Sequence, residues 1–352
     1  MLYLLIGITL KTKEGKMIRT IKQTLMFSLF VTMSFVAMPA KAEPDVKLMG
    51  TSDCFKGRFA SYDSWMQMIA KMQGDKPGAE KFMSKVKAAY KKEDFESYRQ
   101  NLDCKNVMYK VDGAVVHSYY VAPKNESDLP VIIYNRGGNA SFGSWTFARV
   151  FSRLFNLATE GNVAIFASSY RGALPKFPGE DEFGGADVKD VVALPQLFEH
   201  FPNVNPEKVG VFGASRGGMQ SLLAVKQGLD VDSIVLYAGQ YNLFEGLEHR
   251  PEMVRLYKER IPNYDEEKEA ELKKRSAVFW MDEIDNDIPI LLIHGKKDER
   301  VLVDSSIGLS KVLEKEGFTH KLSIYESGKH RYGKNAEAIE GEMLSWFKTN
   351  WK

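Results

Sequence analysis

From residue 106 onward the apolar positions fall into short blocks, separated by longer stretches in which they recur every three or four residues. That rhythm belongs to alternating strands and helices. Val107 to Val111 and Ala114 to Val121 alternate like a hairpin around Asp112-Gly113, and Leu129 to Tyr134 reads as a buried strand. Trp145 to Thr159 has helical spacing and leads to the strand Val163 to Ser168. Asp187 opens a helix over Val188 to His200, and the strand Val209 to Phe212 breaks into a helix reaching Gly228. Strands over Ser233 to Tyr237, Ile288 to Ile293 and Lys321 to Tyr325 complete the series. Repeated βαβ units predict fold class α/β, with a mostly parallel sheet covered on both faces.

Two stretches interrupt the rhythm. Residues 43–105 are helical in pattern, with apolar spacing of three and four over Tyr62 to Met72 and Ala79 to Tyr90. They predict a small N-terminal helical segment, packed on the main domain or shaping its entrance. Residues 241–287 are rich in charge and helix formers, with Glu266-Glu267-Lys268-Glu269 and Glu271-Leu272-Lys273-Lys274-Arg275, and predict a helical insertion between two strands. Its charge runs read as solvated faces; a lid contacting substrate is the sharper alternative.

Composition adds the compartment and removes some function classes. The chain of 352 residues is 44% hydrophobic, enough for a large core, and residues 106–352 read as one domain. The formal charge of +2 is set by residues 1–42, which hold six Lys or Arg and one Glu. The remaining chain carries 42 basic and 45 acidic residues, a net of −3, with no basic excess suited to nucleic acid. Residues 17–42 read as a secretory signal peptide: Arg19 and Lys22, an apolar run from Leu25 to Met38, and Ala40-Lys41-Ala42 as the cleavage site. Met17 is then the natural start and residues 1–16 an upstream extension. No membrane span is expected after cleavage, and export places the protein in the periplasm. In that oxidising compartment Cys54 and Cys104 can pair; the alternative is two free thiols. Neither has a Cys or His at ligand spacing, so no metal site is expected, and no glycine-rich nucleotide fingerprint implies a cofactor.

The chemistry concentrates at Gly213-Ala214-Ser215-Arg216-Gly217-Gly218, a serine at the break between strand and helix. This is the context of a nucleophile elbow, in which glycines two residues either side give clearance to adjacent backbone. The bare pentapeptide is common, because glycine is about 7% of an average chain. Support comes from what surrounds it. Asn135-Arg136-Gly137-Gly138-Asn139 follows a strand where an oxyanion loop belongs. Asp298 and His330 each stand just past a later strand, 83 and 32 residues on in the order Ser, Asp, His. His294 precedes Gly295 and reads as structural. Glu299 is the rival to Asp298. His117, His200, His249 and His320 have no motif around them.

Taken with Tyr134-Asn135-Arg136-Gly137-Gly138, Ser169-Tyr170-Arg171-Gly172, Glu182-Phe183-Gly184-Gly185-Ala186-Asp187, His294-Gly295-Lys296-Lys297-Asp298-Glu299-Arg300-Val301 and Gly328-Lys329-His330, residues 106–352 resemble the catalytic domain of the prolyl oligopeptidase family, within the α/β-hydrolase superfamily. The resemblance implies a serine peptidase that cleaves short peptides through an acyl-enzyme, with Ser215 as nucleophile, His330 as base and Asp298 as its orienting acid. The N–H of Arg216 and a group from Arg136 to Gly138 would bind the oxyanion. Two departures stand out. The roughly 60 residues between the signal and Asn106 are too few for the propeller that family peptidases carry, since one needs at least four blades. Some family members place an oxyanion-binding tyrosine where this chain has Arg136. An esterase acting on small esters is therefore the alternative, and an inactive binding protein on the same scaffold a lesser one. Holding a free amino terminus needs acidic side chains at the site, and the sequence does not place Glu180, Asp181 or Glu182 there.

Overall fold

Residues 44–352, which the computed structural model describes, are organised on a nine-stranded sheet of order β1-β2-β3-β5-β4-β6-β7-β8-β9. The expected signal peptide lies outside the described residues. The strands are β1 (Val46–Asp53), β2 (Leu102–Val111), β3 (Ala114–Pro123), β4 (Leu129–Asn135), β5 (Ala164–Ser168), β6 (Val204–Ala214), β7 (Ser233–Tyr237), β8 (Ile290–Gly295) and β9 (His320–Tyr325). From β5 to β9 every pairing is parallel; β1, β2 and β3 add an antiparallel edge. Period-two alternation divides the sheet's side chains between two cores. Val131 and Ile133 of β4 and Ile290 and Leu292 of β8 enter one, while Ile132, Tyr134, Leu291 and Ile293 enter the other. The β2–β3 turn has positive φ at both Asp112 and Gly113, as a tight two-residue hairpin requires.

The N-terminal segment is not wholly helical. Residues 46–53 form β1, seven of whose residues pair with β2, and β2 itself begins at Leu102. Most of the β1 side chains are exposed, so an edge strand held by backbone hydrogen bonds left no alternation to read. The helices α1 (Tyr62–Gln73), α2 (Ala79–Ala89) and α3 (Lys92–Asn101) follow. Trp65 of α1 and Phe95 of α3, both buried, pack on Phe147 and Phe151, with ring centroids 5.0 Å and 5.3 Å from Trp65. Those rings belong to α4 (Phe147–Val150), which continues through a π turn, Phe151–Phe155, into α5 (Asn156–Gly161).

The helix expected over 188–200 is broken. A 3₁₀ turn leads into α6 (Lys189–Val192) and a second 3₁₀ stretch covers Leu194–His200, where Pro195 lacks the N–H an α-helix needs. The elbow helix is α7 (Arg216–Lys226). The insertion between β7 and β8 is helical, with α8 (Leu243–His249), α9 (Met253–Arg260) and α10 (Tyr264–Lys274). Helices α11 (Asp304–Lys315) and α12 (Ala336–Asn350) complete the two layers. No helix among the described residues is long and apolar enough to cross a membrane.

Cys54 and Cys104 form a disulfide with Cα atoms 5.4 Å apart, joining the loop after β1 to β2 around helices α1 to α3. It closes a loop of 50 residues. Replacing both cysteines by serine is expected to lower the unfolding free energy by about 2–5 kcal/mol. A lower urea midpoint checks this, and an unchanged midpoint would show that the aromatic packing alone holds the segment.

Candidate active site

The parallel strands β6, β8 and their neighbours end on one edge of the sheet, and the loops leaving that edge carry the reactive groups. Ser215 sits between β6 and α7 with φ 57° and ψ −124°, a conformation that costs a non-glycine residue roughly 1–3 kcal/mol. The surroundings enforce it. Its N–H donates to the Tyr237 carbonyl of β7 at 2.8 Å, and the strand-to-helix turn is packed so closely that side chains are excluded. A Cβ on Gly217 would run into the Asn135 carbonyl oxygen, and one on Gly213 into the Gly217 carbonyl.

His330, in the loop after β9, brings Nε2 to 3.1 Å from Ser215 Oγ, while its Nδ1 lies 2.8 Å from Asp298 Oδ2. Asp298 follows β8 and is buried. It also accepts the N–H groups of Arg300 at 2.8 Å and Val301 at 3.0 Å. Burial pushes its pKa up, but hydrogen bonds from His294 and His330, with the Val301 N–H, outweigh burial and hold the carboxyl well below its usual range. His294 is fully buried, held by Ser306 Oγ at 2.7 Å and the Val301 carbonyl at 2.9 Å, and it braces the Asp298 turn. Glu299 is exposed and does not line the cavity; its carbonyl accepts from His249 Nε2 at 3.0 Å. The other histidines, His117, His200, His249 and His320, do not line the cavity above Ser215.

Beside Ser215 the oxyanion loop comes close enough that a Cβ on Gly137 would stand 3.0 Å from Ser215 Cβ. Arg216 is the first residue of α7, so its N–H is one of the helix's unpartnered donors. These two backbones bound the space in which negative charge would develop. The Arg136 side chain is not available to that space. Its Nε and Nη2 donate to the Ser169 carbonyl, Nη1 to the Gly137 and Phe142 carbonyls at 3.1 Å, and Nη2 also to the Ala140 carbonyl at 2.7 Å. All its donors are spent on shaping the loop. Burial first, and the nearby Arg216 charge, bring its pKa down to about 10.

The Arg216 side chain has a second task that the sequence did not reveal. Buried under the loop, it donates to Asp181 Oδ1 at 2.6 Å, Asp187 Oδ2 at 2.6 Å and the Gly138 carbonyl at 3.0 Å. Asp181 in turn accepts the Ala140 N–H. Burial pushes Asp181 up, but Arg216 and the Ala140 and Phe183 N–H groups pull it to about 2. Asp187 gathers the N–H groups of Glu182, Gly184 and Gly185. Tyr170 lies between the two arginines, with guanidinium carbons 4.7 Å (Arg136) and 5.4 Å (Arg216) from its ring centre. Asp181 is thus spoken for; Glu182 accepts the Ala186 N–H at 2.7 Å, and Glu180 is exposed outside the cavity.

Over Ser215 and His330 opens a cavity of about 580 Å³. Phe142, Phe183 and Met219 supply apolar wall, and Leu243, Met253, Leu256 and Tyr257 of the insertion close one side. The insertion therefore reaches substrate space through α8 and α9, while Glu266 to Glu269 of α10 are exposed, as solvated charge runs should be. No Asp or Glu lines the cavity among the described residues.

Comparison with known proteins follows the same lines. Residues 152–352 match the prolyl oligopeptidase family. An uncharacterized peptidase of Bacillus subtilis, YtmA, is 27% identical over 259 residues, covering 73% of this chain and 98% of that protein. Dipeptidyl-peptidase 5 of Porphyromonas gingivalis is 26% identical over 246 residues, which are 64% of this chain but 34% of that protein. In three dimensions the acylaminoacyl peptidase of Pyrococcus horikoshii superposes with TM-score 0.60 at 19% identity, covering 73% of this chain and 43% of that one. A thermostable esterase of Pseudomonas putida superposes with TM-score 0.59 at 15% identity, covering 82% and 97%. The last two likenesses establish the α/β-hydrolase fold.

Asp298→Asn is expected to lower kcat by about four orders of magnitude, since the imidazole would lose both its tautomer and its counter-charge. Glu299→Gln should stay near the wild-type rate. Steady-state assays of the two variants decide the acid, and the reverse pattern would transfer the role to Glu299.

Proposed function

The chain belongs to the prolyl oligopeptidase family and is a serine hydrolase, and on that premise we propose that Ser215, His330 and Asp298 cleave short peptides through an acyl-enzyme. The observation that carries the reading is the unbroken hydrogen-bonded chain from Ser215 Oγ through His330 to Asp298 Oδ2 beneath an open cavity. Ser215 Oγ attacks the scissile carbonyl as His330 Nε2 takes its proton. The oxyanion forms between the Gly137 backbone and the Arg216 N–H. Losing one such donor costs about 3–4 kcal/mol of transition-state stabilisation. His330 then protonates the leaving amine, and water, activated by the same imidazole, releases the acyl group. Asp298 fixes the Nδ1–H tautomer and stabilises the imidazolium, which its lowered pKa equips it to do as a carboxylate.

Esterase activity is the second reading. A neighbour with esterase function matches along 97% of its own length, whereas the peptidase neighbour is matched along 43%. An ester needs no protonated amine leaving group, so the same three residues serve it with a lower barrier. Export to an oxidising compartment is part of the proposal. It is supported by the basic and apolar run over residues 17–42 and by the Cys54–Cys104 pair.

Wild type and Ser215→Ala, assayed on short-chain p-nitrophenyl esters and on aminoacyl p-nitroanilides, test the reading. Ser215→Ala is expected to lose at least about a thousandfold in kcat on both series. Anilide turnover rivalling that of the esters supports a peptidase. Ester turnover alone gives the second reading, and no turnover of either would leave a binding protein.

A further inference from the structure

Seven arginines and no carboxylate line the cavity among the described residues. Two of them, Arg136 and Arg216, are consumed beneath its floor, and Arg250 pairs with Glu252 at 2.8 Å. Of the rest, Arg149 is exposed and donates to the Ser144 carbonyl at 3.0 Å, Arg300 and Arg331 are exposed, and Arg153 alone is half-buried. It sits in the middle of the π turn Phe151–Phe155, a local widening of a helix that recurs at functional sites. Its guanidinium carbon lies 4.7 Å from the centre of the Tyr332 ring. Tyr332 meets Tyr237 edge-on at 4.5 Å, and the Tyr237 hydroxyl donates to the Lys329 carbonyl at 3.0 Å, one residue before His330. Arg153 is therefore anchored to the segment that carries the catalytic imidazole.

Stacking on Tyr332 orients the guanidinium without using its N–H groups. No described carboxylate forms an ion pair with Arg153; Glu340 of α12 feels its charge but accepts a hydrogen bond from Asn156 at 3.1 Å instead. A half-buried, pre-oriented fork of free donors facing a cavity matches a carboxylate in two-point geometry. A substrate ammonium would meet only positive charge, because Asp181 and Glu182 are engaged elsewhere.

We propose that the cavity selects substrates bearing a carboxylate within a residue of the scissile bond and lacking a free amino terminus there, with Arg153 holding that carboxylate. The proposal rests on the serine-hydrolase reading above and adds the substrate class. Arg153 is a specificity residue and takes no part in bond making.

Matched pairs that differ only in charge test it on the full mature chain. Acetyl-Glu-p-nitroanilide is compared with acetyl-Gln-p-nitroanilide, acetyl-Ala-Glu-amide with acetyl-Ala-Gln-amide, and mono-p-nitrophenyl glutarate with the p-nitrophenyl ester of glutaramic acid. In at least one pair the acidic member should be favoured by about tenfold to a hundredfold in kcat/KM, the worth of a charge-assisted hydrogen bond. Arg153→Met should collapse that ratio through KM, Arg153→Lys should restore part of it, and added salt should shrink it. Ser215-dependent turnover with no acidic preference in any pair, or a preference that survives Arg153→Met, overturns the proposal while leaving the hydrolase reading intact. Absence of Ser215-dependent turnover throughout, with no labelling of Ser215 by a fluorophosphonate, overturns that reading and this inference with it.

Discussion

A guanidinium buried beneath the nucleophile is the interaction on which the site depends. Arg216 is almost wholly withdrawn from water, and taking such a charge out of solvent costs several kcal/mol unless partners surround it. Here Asp181 and Asp187 supply two carboxylates, and their negative charge near the start of α7 also suits that end of the helix. The pairing does more than neutralise. Through Gly138 and Ala140 it fixes the oxyanion loop, and through Asp187 it fixes the turn from Glu182 to Gly185. Removing one partner of such a cluster typically costs about 3–5 kcal/mol, because the remaining charge is left buried. In the proposed mechanism the same residue would present its backbone N–H to the reaction, while its side chain holds the Gly138 loop in place.

Arg136 and Tyr170 extend this support. With its donors turned onto the carbonyls of Gly137, Ala140 and Phe142, Arg136 engages those oxygens and counters their negative charge. Carbonyls left without such a partner would repel a developing oxyanion. A tyrosine hydroxyl at this position could stabilise the anion directly; an arginine committed to the loop instead makes the backbone the donor. The energy to hold Ser215 at positive φ comes from the same packing, since β4, the loop after it and α7 approach so closely that only glycine fits at Gly213 and Gly217.

The sequence carried the parallel strands, the elbow and the order of the three polar residues plainly, because each is a local pattern: a block of β-branched residues, a glycine spacing, a residue just past a strand end. What it concealed was long-range. The sequence left Asp181 without a place, and nothing near it in the chain points to Arg216, 35 residues on. Tyr170-Arg171-Gly172 was visible as a motif without a task; the task is to wedge an aromatic ring between two arginines and to pair Arg171 with the buried Asp190 at 2.7 Å. Strand β1 was missed for the opposite reason. Its stability lies in backbone pairing at an edge, and Gly50-Thr51-Ser52-Asp53 has no apolar face to betray it.

A triad does not itself choose between ester and amide, nor between one acyl group and another; the walls do. In this chain the wall on one side is built by α8 and α9, and it is apolar at Leu243, Met253 and Leu256. The wall near His330 is cationic, and Arg153 there is held by the Tyr332 ring, itself set edge-on against Tyr237, rather than by an ion pair. Had the arginines there been neutralised by neighbouring carboxylates, they would read as scaffolding, as Arg136 and Arg216 do. Cations kept at a cavity wall without direct ion pairs carry a cost in mutual repulsion, which for Arg153 the Glu340 charge offsets only at a distance. An anionic substrate group offsets it on binding, so the charge that slightly weakens the empty site strengthens the occupied one.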